Sequence, residues 1–142
     1  MAIIEVVNVD KIYNDSEVKV TALSNINLTI EKGEFTAIVG PSGSGKTTLL
    51  NLLGGLDSPT NGKIRVGDVW LNELKGSKLI DFRLRNIGFV FQSYNLIPVL
   101  TAGENVELIM QLQGVPARLR KQVAANMLGK VGLADRFASR PA

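Results

Sequence analysis

An α/β fold is predicted by three observations. Residues 35–56 read as an apolar strand (Phe35 to Val39), a glycine-rich loop and a Leu-rich helix beginning near Lys46, in direct succession. The stretch before them carries β-branched residues in strand-like alternation, and the stretch after them carries helical spacing with capping signals. A second continuous apolar run, Ile87-Gly-Phe-Val-Phe91, has the look of a strand covered on both faces, as parallel sheets require.

Taken in order, Ile3 to Val9 alternates weakly, with Ile3, Val6, Val7 and Val9 favouring a strand. Asn14, Asp15 and Ser16 form a turn cluster. Val18 to Ile30 resumes the strand pattern, with the clearest alternation from Leu28 to Ile30, so this region is expected to be antiparallel. Glu31-Lys32-Gly33 then turns the chain into the apolar run at 35–39. After the Leu-rich helix, Asp57-Ser-Pro-Thr-Asn-Gly62 is dense in turn formers. Lys63 to Leu71 alternates around Gly67-Asp68, which predicts a short hairpin. Ser77 caps a helix running to about Asn86, with Leu79, Ile80, Phe82 and Leu84 apolar. The run at 87–91 ends on Gln92, and a loop from Ser93 to Leu100 follows. Thr101-Ala-Gly-Glu104 is a capping box opening a helix to about Gln113. Pro116 starts another helix, whose Leu119, Val123, Met127 and Val131 make a stripe at spacing four, with Gly132 as its stop.

The glycine-rich loop carries the chemistry. Gly40-Pro41-Ser42-Gly43-Ser44-Gly45-Lys46-Thr47 fits G-x-x-x-x-G-K-[ST], the phosphate-binding P-loop. A triphosphate has several negative charges, and a loop that wraps it must turn backbone N–H groups inward. Gly43 and Gly45 allow that approach where a Cβ would resist it. The helix that follows adds unpaired N-terminal amides and its positive dipole end. Lys46 reaches the β- and γ-phosphates, and the Thr47 hydroxyl can hold Mg²⁺. A chance match to this pattern arises in roughly one chain in two hundred of this length at ordinary residue usage. The strand before it and the helix after it make chance rarer still.

Composition removes several alternatives. The 142 residues suit one domain, and the formal net charge is only +3. Basic residues are scattered, densest at Arg118, Arg120 and Lys121, so no nucleic-acid partner is expected. There is no cysteine for disulfide or thiolate chemistry, which fits a reduced cytoplasmic setting, and no histidine to serve as base or metal ligand. The N-terminus lacks a signal-peptide layout, and no apolar run approaches a membrane span.

The order of these features resembles a specific family: Tyr13 after the first strand, the P-loop, the run FRLRNIGFVFQSYNLIPVLTAGENVEL, and the tail VGLADRFASRPA. They resemble the ATP-binding subunit of ABC transporters, and in particular the branch serving lipoprotein release and macrolide efflux. The resemblance covers essentially the whole chain, and residues 87–108 are its most branch-specific part. It implies an ABC-type P-loop NTPase fold: an N-terminal antiparallel β subdomain, an incomplete parallel core sheet and the start of the helical subdomain. The division falls at about residue 92, with a nucleotide-binding core at 1–92 and the Q-loop and helical subdomain at 93–142. It implies ATP and Mg²⁺ as ligands. Tyr13 matches the aromatic that stacks on adenine, Thr48 the residue that bonds the α-phosphate, and Gln92 the glutamine that touches Mg²⁺ and the attacking water. The loop from Ser93 to Leu100 matches the surface that receives a transmembrane permease. A homodimer of the complete domain, lying on the inner membrane face through that permease, is implied as well.

The same resemblance implies that a signature motif, a Walker B aspartate with its neighbouring glutamate, and a switch histidine follow such a tail. None occurs in these residues. The chain is thus expected to be the N-terminal portion of the domain, truncated before the signature motif. It would hold nucleotide without turning it over, while the parent protein couples ATP hydrolysis to substrate export or lipoprotein release. A truncated reading-frame product and an ABC-type soluble ATPase are the alternatives.

Overall fold

In the β-branched first third the first strand runs longer than its alternation predicts, while the second starts two residues later than expected and ends one later. The computed structural model describes residues 1–14 and 18–141. In it, β1 spans Ala2–Tyr13 and β2 spans Val20–Glu31, paired antiparallel. The expected turn at Asn14, Asp15 and Ser16 lies, beyond Asn14, outside the described residues. The weak alternation of β1 has a physical cause. Its register breaks between Val6 and Val9, and Asn8 has a positive φ of 49°. The irregularity shifts the pleat, so Val6 and Val9, three apart rather than two, both face the core. β2 does the same at Asn25, φ 48°, between buried Leu23 and half-buried Ile26.

The hairpin follows as expected, though its first strand already includes Asn61 and Gly62 of the expected turn segment. β3 (Asn61–Val66) pairs with the other edge of β1, and β4 (Val69–Trp70) pairs with β3 around Gly67-Asp68. The sheet order is β2-β1-β3-β4. Helix α1 (Lys46–Leu53) lays Leu49, Leu52 and Leu53 against Val6, Val9, Leu23, Ile64 and Leu71. Each such aliphatic contributes about 1.5–3 kcal/mol by leaving water, so this cluster anchors the helix that carries the P-loop lysine.

Two expected strands are absent. Residues 35–39 and 87–91 are irregular, and no strand among the described residues pairs with either run. Phe35 is 98% exposed and Val90 fully so. Apolar content alone does not make a strand, because each edge needs a partner for its N–H and C=O groups.

The chain divides into two units, Met1–Arg83 and Leu84–Ala142. The first contains the sheet, the P-loop and α1; α2 occupies Ser77–Asn86, as its apolar spacing predicts. In the second, α3 (Ala102–Leu112) opens on the predicted capping box. The Thr101 hydroxyl accepts from the Glu104 N–H, and the Glu104 carboxylate accepts from the Thr101 N–H. Those bonds hold the Glu104 carboxyl below its ordinary range. α4 (Ala117–Lys130) begins one residue later than expected, with Pro116 as its N-cap.

Its buried face also differs from the predicted stripe. Leu119, Met127 and Val131 are exposed, while Ala124 and Leu128 are buried beside Arg120. The core-facing row is rotated by one residue, and Arg120 lies beside it, its Nε 3.5 Å from the Glu107 carboxylate buried on α3 and its Nη1 donating to the Val115 carbonyl at 2.8 Å. Among the described residues no helix is long and apolar enough to cross a membrane.

Candidate nucleotide-binding site

The P-loop joins the segment after β2 to α1. Gly43 and Gly45 both sit in the left-handed region, at φ 79° and 87°. At Gly45 the constraint is double, because a Cβ would stand 2.6 Å from the Ala22 carbonyl oxygen and 2.9 Å from a Leu23 methyl of β2. Only glycine lets the loop lie this close to the sheet and still enter the helix. Gly45 is the N-cap of α1, with no side chain capping it. The Leu49 N–H donates to the Gly45 carbonyl at 2.8 Å. The N–H groups of Lys46, Thr47 and Thr48 therefore have no partner within the helix and remain at its positive end.

Lys46 curls back over the loop. Its ammonium donates to the carbonyls of Gly40 (2.8 Å) and Pro41 (2.6 Å) and to the Ser44 hydroxyl (3.3 Å). These contacts are exposed, so phosphate oxygens can exchange for them at small cost in solvation, with a charge-assisted bond gained. The donor set suits a polyphosphate: one ammonium, the amides of the first turn of α1 and two hydroxyls at Thr47 and Thr48, while the Ser44 amide donates to the Pro41 carbonyl at 3.3 Å. Ser42 and Thr47 are exposed and Thr48 half-buried.

For a metal, the same site offers the Thr47 hydroxyl. Among the described residues no cluster of three or more His, Cys, Asp or Glu stands ready as a cage. Mg²⁺ keeps several waters and is held largely through substrate phosphates, so the Thr47 hydroxyl can serve as a single protein contact beside the phosphate cradle.

Tyr13 ends β1 in the same unit, half-buried. Its hydroxyl donates to Asp57 Oδ2 at 3.1 Å. Lys11 donates to Asp57 Oδ1 at 2.7 Å and to the Ser58 carbonyl at 2.9 Å, and its ammonium lies 4.8 Å from the Tyr13 ring centroid. Burial alone would raise the Asp57 carboxyl. The bonds from Lys11, the Ser58 amide and Tyr13, with the Lys11 charge, outweigh it and hold Asp57 below the carboxylate range. Sequence reading missed Lys11 and Asp57. The one available signal was the i, i+2 spacing of Lys11 and Tyr13 on a strand, which puts both side chains on one face.

Gln92 lies in the other unit, exposed in an irregular segment rather than at the end of a strand. The loop after it is irregular as well, with Tyr94, Leu96 and Val99 exposed. Its second half is held by a residue the sequence did not single out. The Asn105 side chain accepts from the Ile97 N–H and donates to the carbonyls of Ile97, Leu100 and Thr101. Beside this loop opens an apolar groove of about 790 Å³, lined by Leu96, Ile97, Val106, Ile109, Leu128 and Leu133 among others.

Residues 23–142 match the sequence pattern of the ABC transporter family. The chain is 51% identical over 139 residues to an ABC transporter ATP-binding protein of Thermotoga maritima, covering 98% of this chain and 59% of that protein. It is 44% identical over 139 residues to the macrolide export ATP-binding/permease protein MacB of Hyphomonas neptunium, with 98% of this chain and 22% of that protein covered. Among solved structures, it superimposes on the ATP-binding cassette MJ0796 in a dimeric post-hydrolysis state bound to ADP and Pi. The TM-score is 0.87 at 43% identity, over 96% of this chain and 60% of that one. The chain therefore spans about three fifths of the length of the single-cassette relatives it matches.

Proposed function

The chain belongs to the ABC transporter ATP-binding family, and on that premise we propose that residues 40–48 hold the phosphates of ATP with Mg²⁺. One observation carries this reading: two left-handed glycines deliver the loop into α1, where the first three helix amides lack a partner within the helix and the Lys46 ammonium lies over the carbonyls of its own loop. In the assignment, Gly43, Ser44 and Gly45 wrap the β-phosphate and Lys46 bonds the β- and γ-oxygens. Thr47 contributes one ligand to Mg²⁺, Thr48 bonds the α-phosphate, and Tyr13 stacks on the base. For Gln92, which belongs to the other unit, a role as carboxamide toward metal and water rests on the family likeness alone. Gly40, Pro41 and Ser42 form the approach to the cradle.

The likeness to MacB favours a role in export, with ATP use coupled to movement of a permease. The exposed Tyr94, Leu96 and Val99 beside the apolar groove suit a transmembrane partner's helix, which would hold the protein on the cytoplasmic membrane face. The dimeric relative favours a pair of complete domains. Within the 142 residues we assign holding rather than hydrolysis. A general base contributes about 10²–10⁴-fold, and the 142 residues contain no histidine to act as one.

The test is a titration of a fluorescent ATP analogue, with Mg²⁺, against the chain and its Lys46→Ala form. The expected loss is roughly 10- to 150-fold in affinity, corresponding to about 1.5–3 kcal/mol for one charge-assisted phosphate contact. Equal affinities would remove the P-loop assignment. Phosphate release that depends on Lys46 would overturn the assignment of holding without hydrolysis.

A further inference from the structure

We infer that Lys11 and Asp57 are positioning residues for the nucleobase: together they lock the Tyr13 ring and leave one of its faces for stacking. The inference rests on the reading of Tyr13 as the base platform and adds two residues to it. β1 fixes the root of Tyr13, and Asp57 fixes its tip by accepting the phenol hydrogen at 3.1 Å. Asp57 is itself immobilised. Its other oxygen accepts from Lys11 and from the Ser58 N–H, both at 2.7 Å, and its own N–H donates to the Asn51 carbonyl at 3.3 Å. Asn51 belongs to α1, the helix that begins with Lys46. The hydroxyl bond therefore ties the base platform to the helix that binds the phosphates, so both ends of one nucleotide are registered by the segment from Gly40 to Asp57.

Lys11 has a second part. Its side chain is only 12% exposed, and its ammonium stands over the Tyr13 ring at 4.8 Å from the centroid. A cation on one face occupies that face and leaves the opposite one for a flat base. A tyrosine with two free torsions loses rotamer entropy when a base settles on it, whereas a ring already held does not. The clamp thus favours binding of the base without touching it, and it discriminates nucleotide from bare polyphosphate.

The experiment compares affinities for ATP and for inorganic tripolyphosphate, each by competition with a fluorescent nucleotide. The variants are Tyr13→Phe, Lys11→Met, Lys11→Arg and Tyr13→Ala. Tyr13→Phe keeps the π face and removes only the tether. Expected is a roughly 3- to 10-fold loss for ATP in Tyr13→Phe and in Lys11→Met, the range of one net hydrogen bond or one exposed cation–π contact. Tripolyphosphate affinity should stay within about twofold, and Lys11→Arg should recover most of the loss because it keeps a cation over the ring. If Tyr13→Ala weakens ATP while Tyr13→Phe and Lys11→Met do not, stacking stands and the clamp is overturned. If Tyr13→Ala leaves ATP affinity unchanged, the platform reading falls and takes the clamp with it. Equal losses for ATP and tripolyphosphate overturn the clamp, since the variants would then act on the fold as a whole.

Discussion

Two regions built from the same kinds of residue end in opposite states. In the sheet β2-β1-β3-β4, Val9 and Ile64 are completely buried. In the runs at 35–39 and 87–91, equally rich in valine, isoleucine and phenylalanine, Phe35, Val39 and Val90 face solvent. Side-chain type is the same; supply of partners is not. β1 has a neighbour on each edge and α1 across its face, so its backbone groups are paired and its apolar residues covered. The two runs have no ladder among the described residues. A pattern apolar on both faces suits a strand with neighbours on both sides, and without them propensity does not hold it extended in a sheet.

The sharpest way to break this comparison is truncation in each region. Ile64→Ala should cost about 2–5 kcal/mol in urea unfolding, because the site is closed on all sides. Val90→Ala, at a fully exposed position, should stay within about 0.5 kcal/mol. Similar costs would mean that the run at 87–91 is covered after all. A smaller effect tests the second unit, where local bonds rather than a sheet define the start of a helix. Thr101→Ala removes one half of the capping box and should cost about 0.5–2 kcal/mol, read from thermal unfolding.

Smallest is the acid limb of the stability curve, which tests how firmly β1 is tied to the segment after α1. The Asp57 carboxyl is held below its ordinary range in the folded chain. Its contribution is therefore complete above the unfolded carboxylate value of about 4 and fades as pH falls through the lower folded value. Asp57→Asn should lower stability near neutral pH and flatten the acid limb. An unchanged pH profile would show that the contacts to Lys11 and Tyr13 carry no linkage.

Local signals were the legible ones. The helix at 77–86 and the capping box at Thr101 and Glu104 were readable because their interactions lie within one turn. The P-loop was readable for the same reason, since every group that forms it lies within nine consecutive residues. What escaped depends on distant partners. Lys11 and Asp57 are 46 residues apart and meet only because α1 folds back over the sheet. The face of α4 was misjudged because the row that packs, Ala124 and Leu128 beside the Arg120–Glu107 contact to α3, is less apolar than the stripe next to it. The pleat shift at Asn8 showed in the sequence only as weak alternation, which does not say where the register breaks.

The central claim is that phosphate is held by the amides of the loop and the first turn of α1. The most direct measurement is the backbone amide spectrum of the ¹⁵N-labelled chain during titration with Mg²⁺–ATP. Saturable shifts of the Gly43, Ser44, Gly45, Lys46, Thr47 and Thr48 resonances are expected, and Lys46→Ala should suppress them. Saturable binding that leaves those six amides unmoved would contradict the account.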